Sequence, residues 1–312
     1  MSEPEETTEK KPQEQEKISI QDLFTAIVEG ISHENDTEGK KIYAPVFKKY
    51  IKNLIDKESI SSQYNILIYY DTGSMLKKHA DSIYEAIVNF DKKKPILLVL
   101  FSYGGDGSSA YLIGKLCREH SEKKFKICVP RVAKSAATLL CCAADEIHMG
   151  SLSELGPIDP QINRLPALGL KNAIEHIAEL IKKFPESSNM FAMYLNNSLQ
   201  LIDLGYYERV AESAMQYAEK LLNTHRADLP KDASSIASHL VYSYKDHGFV
   251  IDKAEAITIL SDKIVKVDTP EYLLSNKIYN FLKVVDSLVG LFKKNLSLIG
   301  SADSDPIFNS YK

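Results

Sequence analysis

Short strand-like segments alternate with helix-length segments between residues 65 and 149, and this alternation constrains the fold more than any other feature of the chain. Two predicted strands are short apolar runs, Asn65–Tyr70 and Ile96–Phe101, and two more are predicted over Phe125–Val129 and Glu146–Met149. The segments between them, 75–90, 108–120 and 135–144, have apolar residues at helical spacing. Strands that are apolar throughout must be covered on both faces, which is typical of mostly parallel sheets. The sequence therefore predicts an α/β fold, with a mostly parallel sheet and helices on both faces.

Outside this core the pattern is mostly helical. Further helices are predicted over residues 18–33, 43–57, 170–184, 190–204, 206–224 and 272–298, and one more strand over 263–267. These patterns divide the chain into four parts. They are an acidic tail predicted to be disordered (1–17), N-terminal helices (18–60), a core domain (61–268) with a helical insertion at about 170–240, and a helical C-terminal extension (269–312).

Composition argues against several classes of function. The formal net charge of the 312 residues is −4, which gives no overall attraction to nucleic acid. The apolar runs are too short to cross a bilayer, and the Glu- and Lys-rich start does not resemble a secretory leader, so we expect a cytoplasmic protein without a transmembrane segment. No pair of cysteines has Cys-x-x-Cys spacing, which predicts buried thiols rather than a zinc or redox site; they are Cys117, Cys128, Cys141 and Cys142.

Two turns rich in small residues follow neighbouring predicted strands, where the reactive crevice of an open α/β sheet lies. Residues 102–107 (SYGGDG) follow the second strand, and residues 131–137 (RVAKSAA) follow the third. The second turn places Ser135 at the start of a helix, where unpaired backbone N–H groups favour negative charge. A nucleophilic serine beside such amides would suit acyl transfer. Spacing alone favours the simpler interpretation that Ser135 only caps the helix.

Two longer stretches resemble a known family. Residues 129–140 (VPRVAKSAATLL), running into 143–150 (AADEIHMG), are similar to the nucleophile segment of the serine dehydrogenase proteinase family, and residues 155–161 (LGPIDPQ) resemble its Leu-Gly-Pro-(Ile/Val)-Asp-Pro-Gln signature. That family is related to the Clp proteolytic subunit and to signal peptide peptidase A. The resemblance covers roughly 64–165, and 240–268 more loosely. It implies a Clp/crotonase-like core, serine peptidase activity on protein or peptide substrates without a metal or cofactor, and assembly into homo-oligomers.

The resemblance also implies which residues react. Ser135 matches the nucleophile, Asp159 matches the aspartate of the signature, and His247 resembles the histidine of a His-x-aromatic-x-Ile element. In such a triad His247 would act as general base toward Ser135, while Asp159 orients the imidazole ring. The oxyanion hole would consist of backbone N–H groups from Gly104, Gly105 and Ala136.

Alternatives stay open for the base and for the function as a whole. His239, eight positions before His247, is a spare histidine. Lys171 would be the base if the chemistry followed that of signal peptide peptidase A. A scaffold of the same fold without catalytic activity is the third alternative.

Three positions depart from the usual pattern of the family. Tyr103 stands where a proline commonly precedes the two glycines, Lys134 where methionine is usual, and Ala137 where glycine is common. Because a tyrosine does not fix φ as proline does, we expect a softer oxyanion loop. Lys134 is expected to be a solvated surface lysine. Together the changes predict altered specificity or weaker activity.

The last predicted helix has an apolar stripe too wide for an exposed helix. Its members are Ile278, Phe281, Leu282, Val285, Leu288, Val289 and Phe292. A stripe of this width must be covered. It predicts packing either on the core of the same chain or between subunits, and the pattern favours neither. The sequence has no nucleotide-binding loop, so unfolding of a protein substrate would need a partner protein.

Overall fold

The computed structural model describes residues 18–162, 165–198 and 201–311, so the predicted disordered tail (1–17) lies outside the described residues. The strands are β1 (Asn65–Asp71), β2 (Ile96–Ser102), β3 (Phe125–Val129), β4 (Val132–Ala133), β5 (Glu146–Met149), β6 (Glu154–Leu155), β7 (Gln161–Ile162), β8 (Leu165–Pro166), β9 (Val265–Val267), β10 (Lys294–Gly300) and β11 (Ile307–Ser310). The helices are α1 (Ile20–Ile31), α2 (Asp36–Asp56), α3 (Lys77–Ile87), α4 (Gly107–Glu119), α5 (Ala136–Cys141), α6 (Ala167–Lys183), α7 (Ser188–Ser198), α8 (Leu201–Leu222), α9 (Ala233–Tyr242), α10 (Lys253–Leu260) and α11 (Pro270–Gly290).

The central sheet runs in the order β11-β10-β1-β2-β3-β5-β9, with β4 paired to β2 and β6 paired to β4. Strands β1, β2, β3, β5 and β9 are parallel to one another. Strands β10 and β11 extend one edge in antiparallel fashion. The predicted α/β fold with a mostly parallel sheet is therefore confirmed.

Two layers of buried apolar side chains lie on opposite faces of the sheet. Alternate residues of β2 supply both layers, because successive side chains of a strand point to opposite faces. Leu98 and Leu100 belong to the layer covered by α3, α4, α5 and α8. Leu97 and Val99 belong to the layer covered by α1, α2 and α11. The N-terminal helices thus pack on the sheet of their own chain.

The apolar stripe of α11 is covered within the chain. Ile278, Leu282, Val285 and Val289 are fully buried in the layer that α1 and α2 complete. Of the two arrangements that the sequence allows for this stripe, packing on the core of the same chain is the one that the structure shows.

The structure differs from the prediction of a helix over residues 272–298 in its second half. Helix α11 ends at Gly290, Lys293 has a φ of 57°, and strand β10 begins at the next residue. Leu296 and Leu298 are buried on the same face of β10. They also continue the helical spacing of α11, and a short apolar run does not distinguish the two periods. The predicted helical C-terminal extension therefore also contains two strands.

Short strands beyond the carboxyl ends of β2 and β3 bring the candidate turns to one edge of the sheet. Ala133 in β4 pairs with Ser102 at the end of β2, and β6 pairs with β4 in parallel. Leu155 exchanges two backbone hydrogen bonds with Ile251, of 2.9 and 3.1 Å. The two glycine- and alanine-bearing turns, the loop after β6 and the segment before α10 therefore lie next to one another.

A buried histidine in the first turn of α3 predicts a loss of stability in mild acid. His79 Nδ1 accepts hydrogen bonds from the Tyr69 hydroxyl (2.7 Å) and from the Leu76 backbone N–H (3.2 Å), so this nitrogen carries no proton. Burial lowers the pKa of His79 from 6.5 to about 4. The contribution of neutral His79 to the free energy of unfolding is fully present above about pH 6.5, and it is lost as the pH falls toward about 4. We expect this residue to lower the free energy of unfolding by about 2 kcal/mol between about pH 7.5 and about pH 5.

Urea unfolding of the wild type and of His79→Gln at both pH values checks this expectation. The glutamine keeps an oxygen acceptor but does not titrate. The fall in the free energy of unfolding from the higher to the lower pH should therefore be smaller in the variant by about 2 kcal/mol. Burial also lowers the pKa of His225 to about 4, which accounts for the slope that remains in the variant. An equal pH dependence in both proteins would contradict the role of His79.

Candidate active site

Ser135 lies in the turn between β4 and α5 in a strained backbone conformation. Its φ of 51° is in the left-handed region, which costs a non-glycine residue about 1–3 kcal/mol. Ser135 occupies the N-cap position of α5, yet its side chain makes no capping hydrogen bond. The helix therefore does not use the hydroxyl, in contrast to the simpler interpretation that spacing favours. Strained residues of this kind cluster at active sites.

Thr138, in the first turn of α5, holds this turn in place. Its hydroxyl donates a hydrogen bond to Ala133 O (2.7 Å) and accepts one from the Gly156 N–H (3.0 Å). The first bond spans residues 134–137, called the nucleophile turn below after the role that the resemblance implies for Ser135. The second bond ties that turn to the loop that carries Asp159. Sequence reasoning missed this role, because a threonine among alanines and leucines gives no signal of its hydrogen-bond partners.

The loop after β2 passes directly beside Ser135. Gly104 has a φ of 101°, and a Cβ at this position would lie 2.9 Å from Ser135 Cβ and 2.7 Å from Lys134 O. A residue with a side chain would be strained in this conformation and would collide with the nucleophile turn. Glycine is therefore needed at position 104 for the two turns to approach.

The backbone amides around Ser135 differ in their availability. The Gly104 N–H already donates to Ser102 Oγ (3.1 Å). The N–H groups of Gly105 and Ala136 make no hydrogen bond within the described ranges, and both residues line the same cleft as Ser135. Of the three N–H groups predicted for the oxyanion hole, those of Gly105 and Ala136 are therefore the available donors, while Gly104 provides the space beside them.

The predicted role of the Gly105 amide as an oxyanion donor can be tested with Gly105→Ala, which is expected to lower kcat for ester hydrolysis by roughly 10²- to 10³-fold, the usual effect of losing one such donor. Gly105 has a φ of 143°, and a Cβ here would overlap the backbone nitrogen of Met75 and lie 2.7 Å from its carbonyl oxygen. The loop must move to accept the methyl group, and the Gly105 N–H moves with it. Initial rates on a peptide ester, together with thermal melting, measure the effect.

Gly73→Ala is the matched control for this substitution. Gly73 lies two residues before Met75, and a Cβ there would meet nothing closer than Asp71 Oδ2 at 3.4 Å. This distance is an ordinary van der Waals contact, so we expect kcat within about 2-fold of the wild type. Equal losses of kcat in the two variants would argue against the Gly105 amide as an oxyanion donor.

A buried carboxylate faces the candidate base. Asp159 Oδ2 lies 3.5 Å from His247 Nδ1, with side-chain exposures of 8% and 30% respectively. Asp159 Oδ1 and His247 Nδ1 are both buried, and neither has a hydrogen-bond partner in the described part of the chain. A buried carboxylate is stable only beside a positive or hydrogen-bonding group, and this imidazole is the group placed to supply either. A triad needs this contact between its acid and its base.

Ser135 and His247 are linked indirectly. No hydrogen bond joins the two side chains within residues 18–162, 165–198 and 201–311. Lys134, which precedes Ser135, donates a hydrogen bond to Phe249 O (2.9 Å), two residues beyond His247. Bonds between a nucleophile and its base are often long in unliganded enzymes and tighten when substrate binds. The structure thus places His247 on a segment that is bonded to the nucleophile turn.

Lys134 is buried, and the expectation of a solvated surface lysine is wrong. Its side chain is 11% exposed, and its Nζ lies 3.1 Å from Glu154 Oε2 and 3.0 Å from Leu155 O. The physical reason is the path of the chain, since β6 runs beside the nucleophile turn. The carboxylate and carbonyl of β6 compensate the buried ammonium group, which removes the main cost of leaving water.

The alternative bases lie in other surroundings. His239 lies in α9, where its Nε2 is 3.4 Å from the Tyr244 hydroxyl. Lys171 belongs to α6, but its side chain is outside the part of the chain that the structure describes. The contact with Asp159 therefore distinguishes His247 from His239.

An open cleft of about 800 Å³ leads to Ser135. One side is formed by residues 105–108 and by Ala136. The other side is helix α8, which contributes Tyr206, Arg209, Val210, Ser213, Ala214 and Tyr217. Sequence reasoning predicted this helix but not its place at the site, because helical spacing does not show where an inserted helix packs.

Several other features bear on the chemistry. The described residues contain no group of three or more His, Cys, Asp or Glu side chains arranged to hold a metal ion. Across the same ranges, none of the helices combines the length and the apolar character that crossing a membrane requires. All four cysteines are unpaired and buried, and their burial is as predicted; burial raises the pKa of the Cys142 thiol to about 12.

Residues 51–184, which include Ser135, Asp159 and the glycine loop, match the family model of the ClpP-like SDH-type serine proteinases. This segment belongs to that family. The resemblance seen in the sequence is thereby confirmed, as is the Clp-like α/β fold of the core. His247 lies outside the ClpP-like SDH-type segment, so the case for it as the base rests on its contact with Asp159.

Two relatives in an archaeon share parts of the chain. An uncharacterised protein of Methanocaldococcus jannaschii is 36% identical over 96 residues, which are 31% of this chain and 33% of that protein. A second uncharacterised protein of the same organism is 24% identical over 211 residues, which are 68% of this chain and 64% of that protein. The chain thus spans less than two thirds of the length of each.

Among solved structures, the chain is similar to two mutants of the 1510-N membrane-bound stomatin-specific protease. A serine-to-alanine mutant has a TM-score of 0.42 at 13% identity, over 75% of this chain and 87% of that one. A lysine-to-alanine mutant in complex with a substrate peptide has a TM-score of 0.42 at 12% identity, over 80% and 90%.

Proposed function

We propose that the chain is a serine peptidase that hydrolyses peptide bonds through an acyl-enzyme intermediate on Ser135. His247 is the general base in this proposal, and Asp159 orients it. The observation that carries the proposal is the strained, uncapped Ser135 at an open cleft, within a segment of a serine proteinase family. The 3.5 Å contact between Asp159 and His247 supports the choice of base.

Acylation begins with attack of Ser135 Oγ on the carbonyl carbon of the scissile bond. The hydroxyl proton passes to His247 Nε2, and the tetrahedral intermediate carries its negative charge on the former carbonyl oxygen. The N–H groups of Gly105 and Ala136 stabilise this oxyanion. Asp159 stabilises the imidazolium that His247 becomes.

Collapse of the intermediate breaks the carbon–nitrogen bond. His247 returns its proton to the departing amine, which leaves an ester between the acyl group and Ser135 Oγ. Water then repeats the sequence, giving a proton to His247 and releasing the carboxylic acid. The serine recovers its proton, so the enzyme ends unchanged.

Intact-mass analysis after fluorophosphonate treatment tests the proposal. The probe forms a phosphonate ester with an activated serine and releases fluoride. The native protein is expected to gain one phosphonyl group per chain, and peptide mapping is expected to place it on Ser135. Ser135→Ala and heat-unfolded wild type should gain none. A native, assembled protein that stays unlabelled would reject the peptidase and favour the non-catalytic scaffold.

A second assignment of the base keeps the same reaction. Lys171 lies inside the family segment, whereas His247 lies beyond its end. A neutral lysine amine would take the proton of Ser135 in the role given above to His247. Substitution of each residue in turn decides between them.

We further propose a setting for the reaction. The substrates are peptides or proteins, and the net charge of −4 offers no general attraction to nucleic acid. The protein acts in the cytoplasm, which follows from the sequence of its N-terminal region and its short apolar runs, and it acts as a homo-oligomer, as the resemblance implies. Light scattering of the purified protein measures the assembly state, and a monomeric mass would contradict the oligomer.

A further inference from the structure

The Lys134 ammonium group meets three acceptors, one for each of its N–H bonds. They are Glu154 Oε2 at 3.1 Å, Leu155 O at 3.0 Å and Phe249 O at 2.9 Å. The carboxylate of Glu154 balances the buried positive charge. Because all three N–H bonds are directed at these oxygens, the amine has no free electron pair with which to accept the Ser135 proton. Lys134 therefore acts as a donor and not as a base.

These three bonds join three parts of the site. Lys134 directly precedes Ser135 in the nucleophile turn. Leu155 opens the loop that carries Asp159, and Phe249 lies two residues after His247. One buried amine thus connects the segments that carry all three members of the proposed triad.

The segment of residues 246–250 has few other attachments. Its other hydrogen bonds within the described chain are internal, from the Gly248 and Phe249 N–H groups to Asp246. The segment is largely exposed, and His247 itself approaches the core at Asp159 without a hydrogen bond. The Phe249 ring also packs on Tyr244 (4.7 Å between ring centroids), and the neighbouring Ile251 is paired with Leu155. The bond from Lys134 to Phe249 O is the hydrogen bond that joins residues 246–250 directly to the nucleophile turn.

The surrounding chain provides room for the lysine arm. Position 156 is a glycine, and a Cβ there would overlap Lys134 Cδ. The arm consequently lies against the backbone of the loop before Asp159, with little freedom to adopt another conformation. A fixed arm with a charge-assisted hydrogen bond at its end holds its acceptor more closely than a solvated lysine would.

We propose that Lys134 is a positioning residue that holds the His247 segment at the nucleophile turn, an inference that rests on the proposed function. It sets the separation between Ser135 and His247 without touching the reacting atoms. Misplacement of a catalytic group by about 1 Å costs up to about 10²-fold in rate. Loss of the bond to Phe249 O therefore affects the chemical step rather than substrate binding.

Lys134→Met tests the inference, because methionine has a similar length and no donor. The fluorophosphonate labelling rate and kcat are expected to fall by roughly 10- to 100-fold per folded molecule, with KM within about 3-fold. The matched control is Lys126→Met. Lys126 is nearly as buried, with 14% side-chain exposure against 11% for Lys134, and is paired with Glu146 (2.7 Å) and Glu271 (3.2 Å).

The control separates positioning from stability. Lys126→Met is expected to melt at a lower temperature and yet to react at the wild-type rate per folded molecule. A labelling rate for Lys134→Met within about 3-fold of the wild type overturns the inference and leaves the proposed function intact. A rate loss that the unfolded fraction fully explains also overturns it. Absence of labelling at Ser135 in the wild type overturns both.

Lys134→Gln decides the matter if the methionine variant does not fold. Its neutral amide keeps two N–H donors for the buried acceptors, but its arm is shorter and does not reach Phe249 O. A labelling rate at least about 5-fold below the wild type supports the inference, and a smaller change overturns it.

Discussion

Replacing Ser135 with alanine is expected to lower kcat for peptide hydrolysis by roughly 10⁴- to 10⁶-fold, down to the rate that binding and the oxyanion donors alone support. The expected loss is this large because, in the proposed mechanism, the hydroxyl oxygen forms the acyl-enzyme bond and no neighbouring group replaces it. Folding should be unaffected, since the Ser135 side chain makes no capping bond and alanine leaves the backbone of the turn unchanged. Single-turnover kinetics with an activated ester measures the loss.

Ser287→Ala is the control for this substitution. Ser287 lies on α11, on the opposite face of the sheet, where its hydroxyl bonds to Lys283 O (2.8 Å) of its own helix. We expect kcat within about 2-fold of the wild type. If Ser135→Ala kept more than about a tenth of the wild-type kcat, another residue would have to be the nucleophile.

The central strand of the core could be predicted because a strand that is buried on both faces is a continuous apolar run in the local sequence. Residues 96–101 are apolar without interruption, and every residue of β2 is buried. Strand β10 has no such run, because its burial pattern is interrupted and its leucines continue the spacing of the preceding helix. Pairing with β1, more than two hundred residues earlier, and with β11 decides that this segment is extended.

Some residues of the candidate site could be predicted from the local sequence, whereas the surroundings of others depend on distant parts of the chain. Ser135 and Asp159 could be proposed because each lies in a contiguous motif. The burial of Lys134 depends on Glu154 and Phe249, which approach it only in the folded chain. No pattern around position 134 distinguishes a buried lysine from a solvated one.

Sequence motifs likewise identify only one side of the cleft. Its inner surface comes from the family segment, which the sequence motifs identify. Its outer wall comes from α8, whose residues Tyr206 and Arg209 lie beyond that segment. The proposed nucleophile turn and the cleft wall come from different parts of the chain, so in the proposed peptidase specificity can vary through α8 while the geometry at Ser135 is kept.

Replacing His247 with alanine is expected to lower kcat by roughly 10³- to 10⁵-fold, because Ser135 then has no base to take its proton. The substitution leaves the buried Asp159 carboxylate without its partner and opens a small cavity beside it, so we expect a lower melting temperature and compare rates per folded molecule. Added imidazole should enter that cavity and restore part of the activity. Rates measured with increasing imidazole check both effects, and Ser135→Ala should show no such restoration.

Two matched variants identify the base. His239→Ala removes an exposed histidine that contacts Tyr244, and Lys171→Ala removes the lysine that a signal peptide peptidase A-type mechanism would use. Both are expected to keep the fluorophosphonate labelling rate within about 3-fold of the wild type, while His247→Ala loses it. Loss of labelling in Lys171→Ala with retention in His247→Ala would reverse the assignment. The contact between Asp159 and His247 would then stabilise the 246–250 segment without a part in proton transfer.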